Sequence, residues 1–202
     1  MFMQMVTGAC ARQDEMRAVV DDWCADMAMR DGWLGGTYGF TDDDQFVGIV
    51  RFSSQKAYDA CCASADAGAH WAGALLCFDA TPEIHQSEDV TIMLDGAFDA
   101  SGDAQFVQVI RGRASNPDRL RNMVADQEMT AMLHQARPEI VGATLLIEDD
   151  GSYTETIAFT DEAAARRGEQ LEMPADVAAD WQSAVGDAQY SDLHRPWFAK
   201  HS

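Results

Sequence analysis

Phe2-Met3-Gln4-Met5-Val6-Thr7-Gly8 lies at the start of the chain, and its pattern returns 104 positions later as Phe106-Val107-Gln108-Val109-Ile110-Arg111-Gly112. Each stretch is a short run of large apolar side chains, interrupted by one glutamine and closed by a glycine, which reads as a strand. The similarity continues in order. Asp14 to Val20 matches Asp118 to Val124, again 104 positions apart. Leu34-Gly35-Gly36-Thr37 matches Val141-Gly142-Ala143-Thr144, and Val50-Arg51-Phe52-Ser53 matches Ile157-Ala158-Phe159-Thr160, both 107 apart. The second copy therefore carries three extra residues around its first helix. Ala69-His70-Trp71 also resembles Ala179-Asp180-Trp181.

Each copy predicts the order βαββαβ. Strands are expected at 2–7 and 105–111, and helices at 12–29 and 117–134. Met16, Val19, Val20, Trp23 and Met27 recur at helical spacing in the first helix. Asn116-Pro117 is a start signal for its counterpart, with proline at the first helical position. Hairpins are expected from 34–41 with 45–52 and from 140–147 with 152–159. Their turns are Asp42-Asp43-Asp44 and Asp149-Asp150-Gly151, whose residues favour tight reversals. A second helix starts after Ser53-Ser54 and after Thr160-Asp161, where the side-chain oxygens are suitable caps. A last strand falls near 84–94 and 187–194. The chain then divides into a first repeat at 1–95, a small acidic linker at 96–103 and a second repeat at 104–202.

This order resembles the antibiotic-biosynthesis-monooxygenase-like family of the dimeric α/β-barrel, ferredoxin-like superfamily, in a tandem-repeat form. The resemblance implies an α+β fold of two ferredoxin-like units packed sheet to sheet, an intrachain pseudo-dimeric barrel enclosing a cavity. It also implies a small-molecule pocket protein resembling cofactor-independent monooxygenases and acting on an aromatic or polyketide-like substrate. The alternatives are a non-catalytic binding or stress-response protein for a hydrophobic ligand such as heme, and a scaffold with no open cavity. The heme-degrading branch of the family uses a first-strand asparagine, a second-helix tryptophan and a later histidine. Here those places hold Gln4 and Gln108, then Cys61 and Gly168, and then His70 with Asp180 as its counterpart. No cofactor is expected, with heme as the alternative.

Six residues are candidates for chemistry. Gln4 and Gln108 are amides inside apolar strands at the same place in both copies. Alternation puts Gln4 on one face with Phe2 and Val6. Each amide either donates to a ligand carbonyl or oxyanion, or the two satisfy each other across the pseudo-two-fold. Arg51 has Ala158 as its counterpart, so it either marks one working cavity or is an edge arginine paired to a surface acid. His70 is read either as a general base or axial ligand, or as an ordinary exposed or capping histidine. Trp71 either stacks on a planar ligand or, like Trp181, fills a core. Tyr38 belongs to a set of strand aromatics that suits either a planar hydrophobic ligand or a plain core.

With 34 acidic residues against 14 basic, the net charge is -20, a field that repels phosphate backbones and anionic lipid. Nucleic acid and membrane surfaces are therefore not expected as partners, and a small hydrophobic or aromatic molecule is. The histidines show no metal-ligand spacing, and the Asp42 to Asp44 turn lacks the alternation of a calcium loop. The five cysteines form no C-x-x-C pair, and the N-terminus has no basic region before a long apolar stretch. Reduced thiols in a cytoplasm are the expectation. A tandem pair closes its own barrel, so sedimentation at micromolar concentration is expected to give a monomer, with a homodimer of two closed chains as the alternative. An obligate homodimer would contradict that closure.

Overall fold

The computed structural model describes residues 1–94, 104–171 and 175–201. The predicted linker at 96–103 lies outside the described residues. The chain forms two compact units. The first holds Met1–Glu88 with the segment from Arg195 onward, and the second holds Asp89–His194.

In the first unit the elements are β1 (Phe2–Ala9), α1 (Gln13–Met27), β2 (Trp33–Phe40), β3 (Gln45–Phe52), α2 (Gln55–Cys62), α3 (Ala65–Cys77) and β4 (Glu83–Ser87). In the second they are β5 (Val90–Leu94), β6 (Phe106–Arg113), α4 (Pro117–Ala125), α5 (Gln127–Ala136), β7 (Ile140–Ile147), β8 (Ser152–Phe159), α6 (Glu162–Gly168), α7 (Ala175–Val185) and β9 (Ala188–Leu193). A short β10 (Trp197–Ala199) follows and belongs to the first unit. The first sheet runs β10-β2-β3-β1-β4 and the second β5-β7-β8-β6-β9, every pair antiparallel. Both units thus have the ferredoxin-like strand order, with one added edge strand each.

That edge strand is where the predicted boundaries differ from the fold. The strand expected at 84–94 is two strands, and residues 90–94 pair with β7 inside the second unit rather than ending the first. Trp197, Phe198 and Ala199 pair with Tyr38, Thr37 and Gly36, so the chain's end belongs to the first sheet. Hydrophobic periodicity predicts strands but carries no information on which edge they join.

The hairpins match in detail. Asp44 and Gly151 both take left-handed conformations, with φ of 59° and 84°. Their carbonyls accept from Cys10 N and Ala114 N at 2.8 and 2.9 Å. The first helix of the second unit is interrupted where the extra residues fall. Asp126 ends α4 and accepts hydrogen bonds from Glu128 N and Met129 N at 2.9 and 3.1 Å, starting α5. In the same way Ser64 Oγ accepts from Ala67 N at 3.2 Å and starts α3 two residues after α2 ends.

Both faces of the first sheet are buried. Phe2, Phe46 and Phe52 point toward the helices and join Met16, Val20, Met27 and Trp33. The alternate residues Met3, Met5, Val47, Ile49 and Arg51 are buried on the other face. Cys61 is buried and Cys62 exposed, and all five cysteines are free thiols. Among the described residues, no helix is long and apolar enough to cross a membrane.

The second core contains an anomaly. Glu155, in the middle of β8, is 5% exposed, between Tyr153 and Ile157 on the face packed by Leu120, Val124 and Val185. Burial pushes its carboxyl up to about 7 from an ordinary 4.5. An acid whose pKa is raised by folding favours the neutral form in the fold. The native state is therefore unpenalised below the unfolded value and loses stability as pH climbs from about 4.5 to 7. Urea unfolding of E155Q is expected to show a gain over wild type that is roughly 2 kcal/mol larger at pH 8 than at pH 5. A pH-independent difference would contradict the buried charge.

Candidate functional site

The helix-side face of the first sheet bounds a cavity of about 300 Å³. That is the lower end of the roughly 300–1,000 Å³ typical of small-molecule sites. The sheet supplies Gln4 and Val6 from β1, Tyr38 from β2, Phe46, Gly48 and Val50 from β3, and Ile84 from β4. The opposite wall is α1, through Met16, Val19, Val20 and Trp23, and α3, through Ala67, Gly68, His70, Trp71 and Ala74. Tyr58 and Cys62 of α2 and the residue Phe78 complete it.

The space has a local cause in the sequence of α3. Apart from His70 and Trp71, Ala65 to Ala74 holds only alanine and glycine beyond the exposed Asp66. Such side chains fill little volume, and space is left beside them. At Gly73 there is room for more, since an added Cβ would meet the Val19 methyls at 3.6 Å, in ordinary contact.

A polar track runs along the apolar wall. Gln4 Nε2 donates to Tyr58 Oη at 2.8 Å and to Gln86 Oε1 at 2.8 Å. Burial pushes Tyr58 up to about 12 and Cys24 up to about 11, and it also raises Cys62 and places Tyr38 well above the usual phenol range. At neutral pH these groups are therefore protonated and uncharged. The Cys24 thiol donates to Tyr38 Oη at 3.5 Å. His70 Nε2 lies 2.7 Å from Asp26 Oδ2, a carboxylate from α1 that faces α3.

The predicted site residues separate cleanly. Gln4, Tyr38, His70 and Trp71 line this one cavity. Arg51 does not: it falls between Val50 and Phe52, so alternation turns it to the opposite face of β3, where it is 4% exposed. It is also in a central strand between β1 and β2, not at an edge. Gln108 lies in the second unit, where its amide donates to Glu169 at 3.3 Å and Asp192 at 3.1 Å. The amide hydrogens of each glutamine are bonded inside its own unit. His70 is neither a cap nor free in solvent, because Asp26 holds it. Trp71 is 37% exposed, whereas Trp181 packs against the second core. The cavity itself lies between the sheet of the first unit and its own helices.

Sequence reasoning missed Tyr58 and Asp26. Tyr58 lies four residues past the Ser54 cap, on the stripe with Ala57 and Cys61 that faces the sheet. That spacing is a usable signal, because a tyrosine on a buried stripe needs a partner for its hydroxyl. Asp26 is one of several acids on α1, and only the packing of α1 on α3 distinguishes it. Among the described residues, no group of three or more His, Cys, Asp or Glu side chains converges as a metal site.

No protein-family model matches this chain, and no curated protein does. Its likeness is to solved structures. A "putative monooxygenase" from Lactobacillus acidophilus NCFM superposes with a TM-score of 0.77 at 11% identity, over 100% of this chain and 96% of that one. A "putative monooxygenase" from Fusobacterium nucleatum subsp. nucleatum ATCC 25586 gives 0.75 at 9% identity, over 98% and 94%. An "anthrone oxidase-like protein" gives 0.66 at 10% identity, over 98% and 92%. At such identities the likeness shows a shared α+β, ferredoxin-like fold.

Replacing Tyr58 with phenylalanine removes the hydroxyl that accepts from Gln4 while keeping the ring, which stacks 4.6 Å from Phe2. Y58F is expected to lose about 1 kcal/mol in urea unfolding. A neutral result would mean that the amide finds another partner at no net cost.

Proposed function

We propose that the first unit binds a planar, hydrophobic phenolic molecule in this cavity and promotes its oxygenation by dioxygen, in the manner of a monooxygenase. The observation that carries the reading is the cavity wall: nearly all apolar, with one imidazole on one side and one phenol-amide pair on the other. The fold shared with the two monooxygenase-named proteins and the anthrone oxidase-like protein supports the reaction class.

Each residue has a role. With Nε2–H donating a hydrogen bond to Asp26 Oδ2, His70 carries its lone pair on Nδ1 and acts as the base. Asp26 positions the ring and stabilises the imidazolium that forms. Both amide hydrogens of Gln4 are engaged, so Gln4 fixes Tyr58 rather than touching the ligand. The Tyr58 hydroxyl, whose oxygen accepts from Gln4 Nε2, donates its own proton to the developing oxyanion. Trp71 stacks at the side of the ligand, and Tyr38 forms part of the floor. Arg51 takes no part, because it faces away.

For an anthrone-type substrate the reaction balances simply. His70 removes a proton from the activated CH2, and the carbanion is oxidised by dioxygen, forming a C–O bond to a peroxide that the imidazolium protonates. His70 then takes the second ring proton while the O–O bond breaks, which leaves one oxygen as the ketone and expels the other as hydroxide, protonated to water by the imidazolium. The apolar wall keeps bulk water from the anion.

1,8-Dihydroxyanthrone is the probe. It is expected to quench tryptophan fluorescence, since Trp23 and Trp71 line the cavity, and to consume dioxygen in proportion to enzyme. H70Q is expected to keep binding within a few-fold and to lose roughly 10²–10⁴ in rate. No quenching and no enzyme-dependent oxygen uptake, across a panel of phenolic bicycles and tricycles, would remove the proposal.

A further inference from the structure

Gly48 stands in the middle of β3, opposite Val6 on β1 and Tyr38 on β2. Glycine is a poor residue for a central strand, because it adds no packing and loses the most backbone freedom. The backbone gives no reason for it, since Gly48 has none of the left-handed torsions found at Gly32 and Gly35. The reason lies in side-chain space. A Cβ at 48 would sit 2.8 and 2.9 Å from Cε1 and Cζ of Phe46 and 3.3 Å from Cδ1 of Tyr38. The Phe46 ring therefore lies over the glycine, and all three residues line the cavity.

The second unit shows the same register position with a side chain on it. Glu155 of β8 stands opposite Ile110 and Leu145, as Gly48 stands opposite Val6 and Tyr38. Where the first unit leaves room, the second has a buried carboxylic side chain within its apolar core.

We propose that Gly48 determines the size of ligand the first unit accepts. Without a Cβ at this point the Phe46 ring folds back over the strand, and the cavity keeps the depth a three-ring ligand needs. Any larger residue drives the ring into the cavity and restricts it to smaller molecules. This rests on the proposed function, because it presumes that the cavity is the ligand site.

The test compares two probes, 1-naphthol and 1,8-dihydroxyanthrone, by tryptophan quenching in wild type, G48A and the double variant F46L/G48A. G48A is expected to weaken the three-ring probe at least about tenfold, the effect of one methylene in a tight pocket, and 1-naphthol less than threefold. The double variant, lacking the ring that the new methyl meets, is expected to bind the three-ring probe within about threefold of wild type. Failure of G48A to fold alongside a folded, wild-type-like double variant also supports the clash with Phe46. Equal binding of the three-ring probe by wild type and G48A overturns the inference and leaves the proposed function standing. A loss in G48A that F46L does not restore overturns it as well. Wild-type protein that binds neither probe removes the proposed function and the inference together.

Discussion

The register of β1 against β3 is the constraint on which the first unit depends. Phe2 lies opposite Phe52 and Ala9 opposite Gln45, with eight consecutive pairs and no bulge. Because the side-chain period of a strand is two, this one alignment sends Gln4, Val6, Gly48 and Val50 to the helices and Met3, Met5, Ile49 and Arg51 to the other face. A slip of one residue would put Arg51 against the helices and seal the cavity floor with Ile49. Two apolar faces make such a slip costly in both directions.

Given that sheet, the cavity follows from size rather than from any special geometry. Large rings fill the rest of the helix-side face: Phe46 and Phe78 line the cavity, and Phe2, Trp33 and Phe52 form a separate packed cluster. The alanine- and glycine-rich α3 and Gly48 leave the space empty. The polar groups admitted there are neutral or externally held. Desolvation keeps the phenols and thiols protonated, and the one imidazole is anchored by a carboxylate from α1. A charged lining would suit an anion or a metal; this lining suits an uncharged ring system that becomes an anion only on losing a proton.

The two units have the same strand order, the same hairpin torsions and the same bulge, at Trp33/Gly35 and Ile140/Gly142. They differ at the positions that face the helices. Glu155 stands at the register of Gly48, and Ala165, by the same alignment, stands at that of Tyr58. Asp180, the counterpart of His70, is spent on an ion pair with Arg119 at 2.5 Å. Gln108, bereft of a tyrosine, bonds to Glu169 and Asp192 in a network centred on Arg166. The framework is common to both units, while the polar machinery is private to each.

Strand and helix positions, the hairpin turns and the candidates Gln4 and His70 were legible in the chain because they depend on neighbours in sequence: alternation, helical spacing, caps and turn residues. Tyr58, Asp26 and the idle placement of Arg51 were not, because each is decided by contacts between residues far apart in the chain. Tyr58 meets Gln4 across 54 positions, and His70 meets Asp26 across 44. The edge strands belong to the same class, since a strand of three residues such as Trp197–Ala199 carries too little pattern to name its partner. Local pattern was enough for two units of one topology and for the alternation within their strands. The cavity between the first sheet and its helices came from long-range packing, because volume left between a sheet and its helices is a sum over side chains that no local period records.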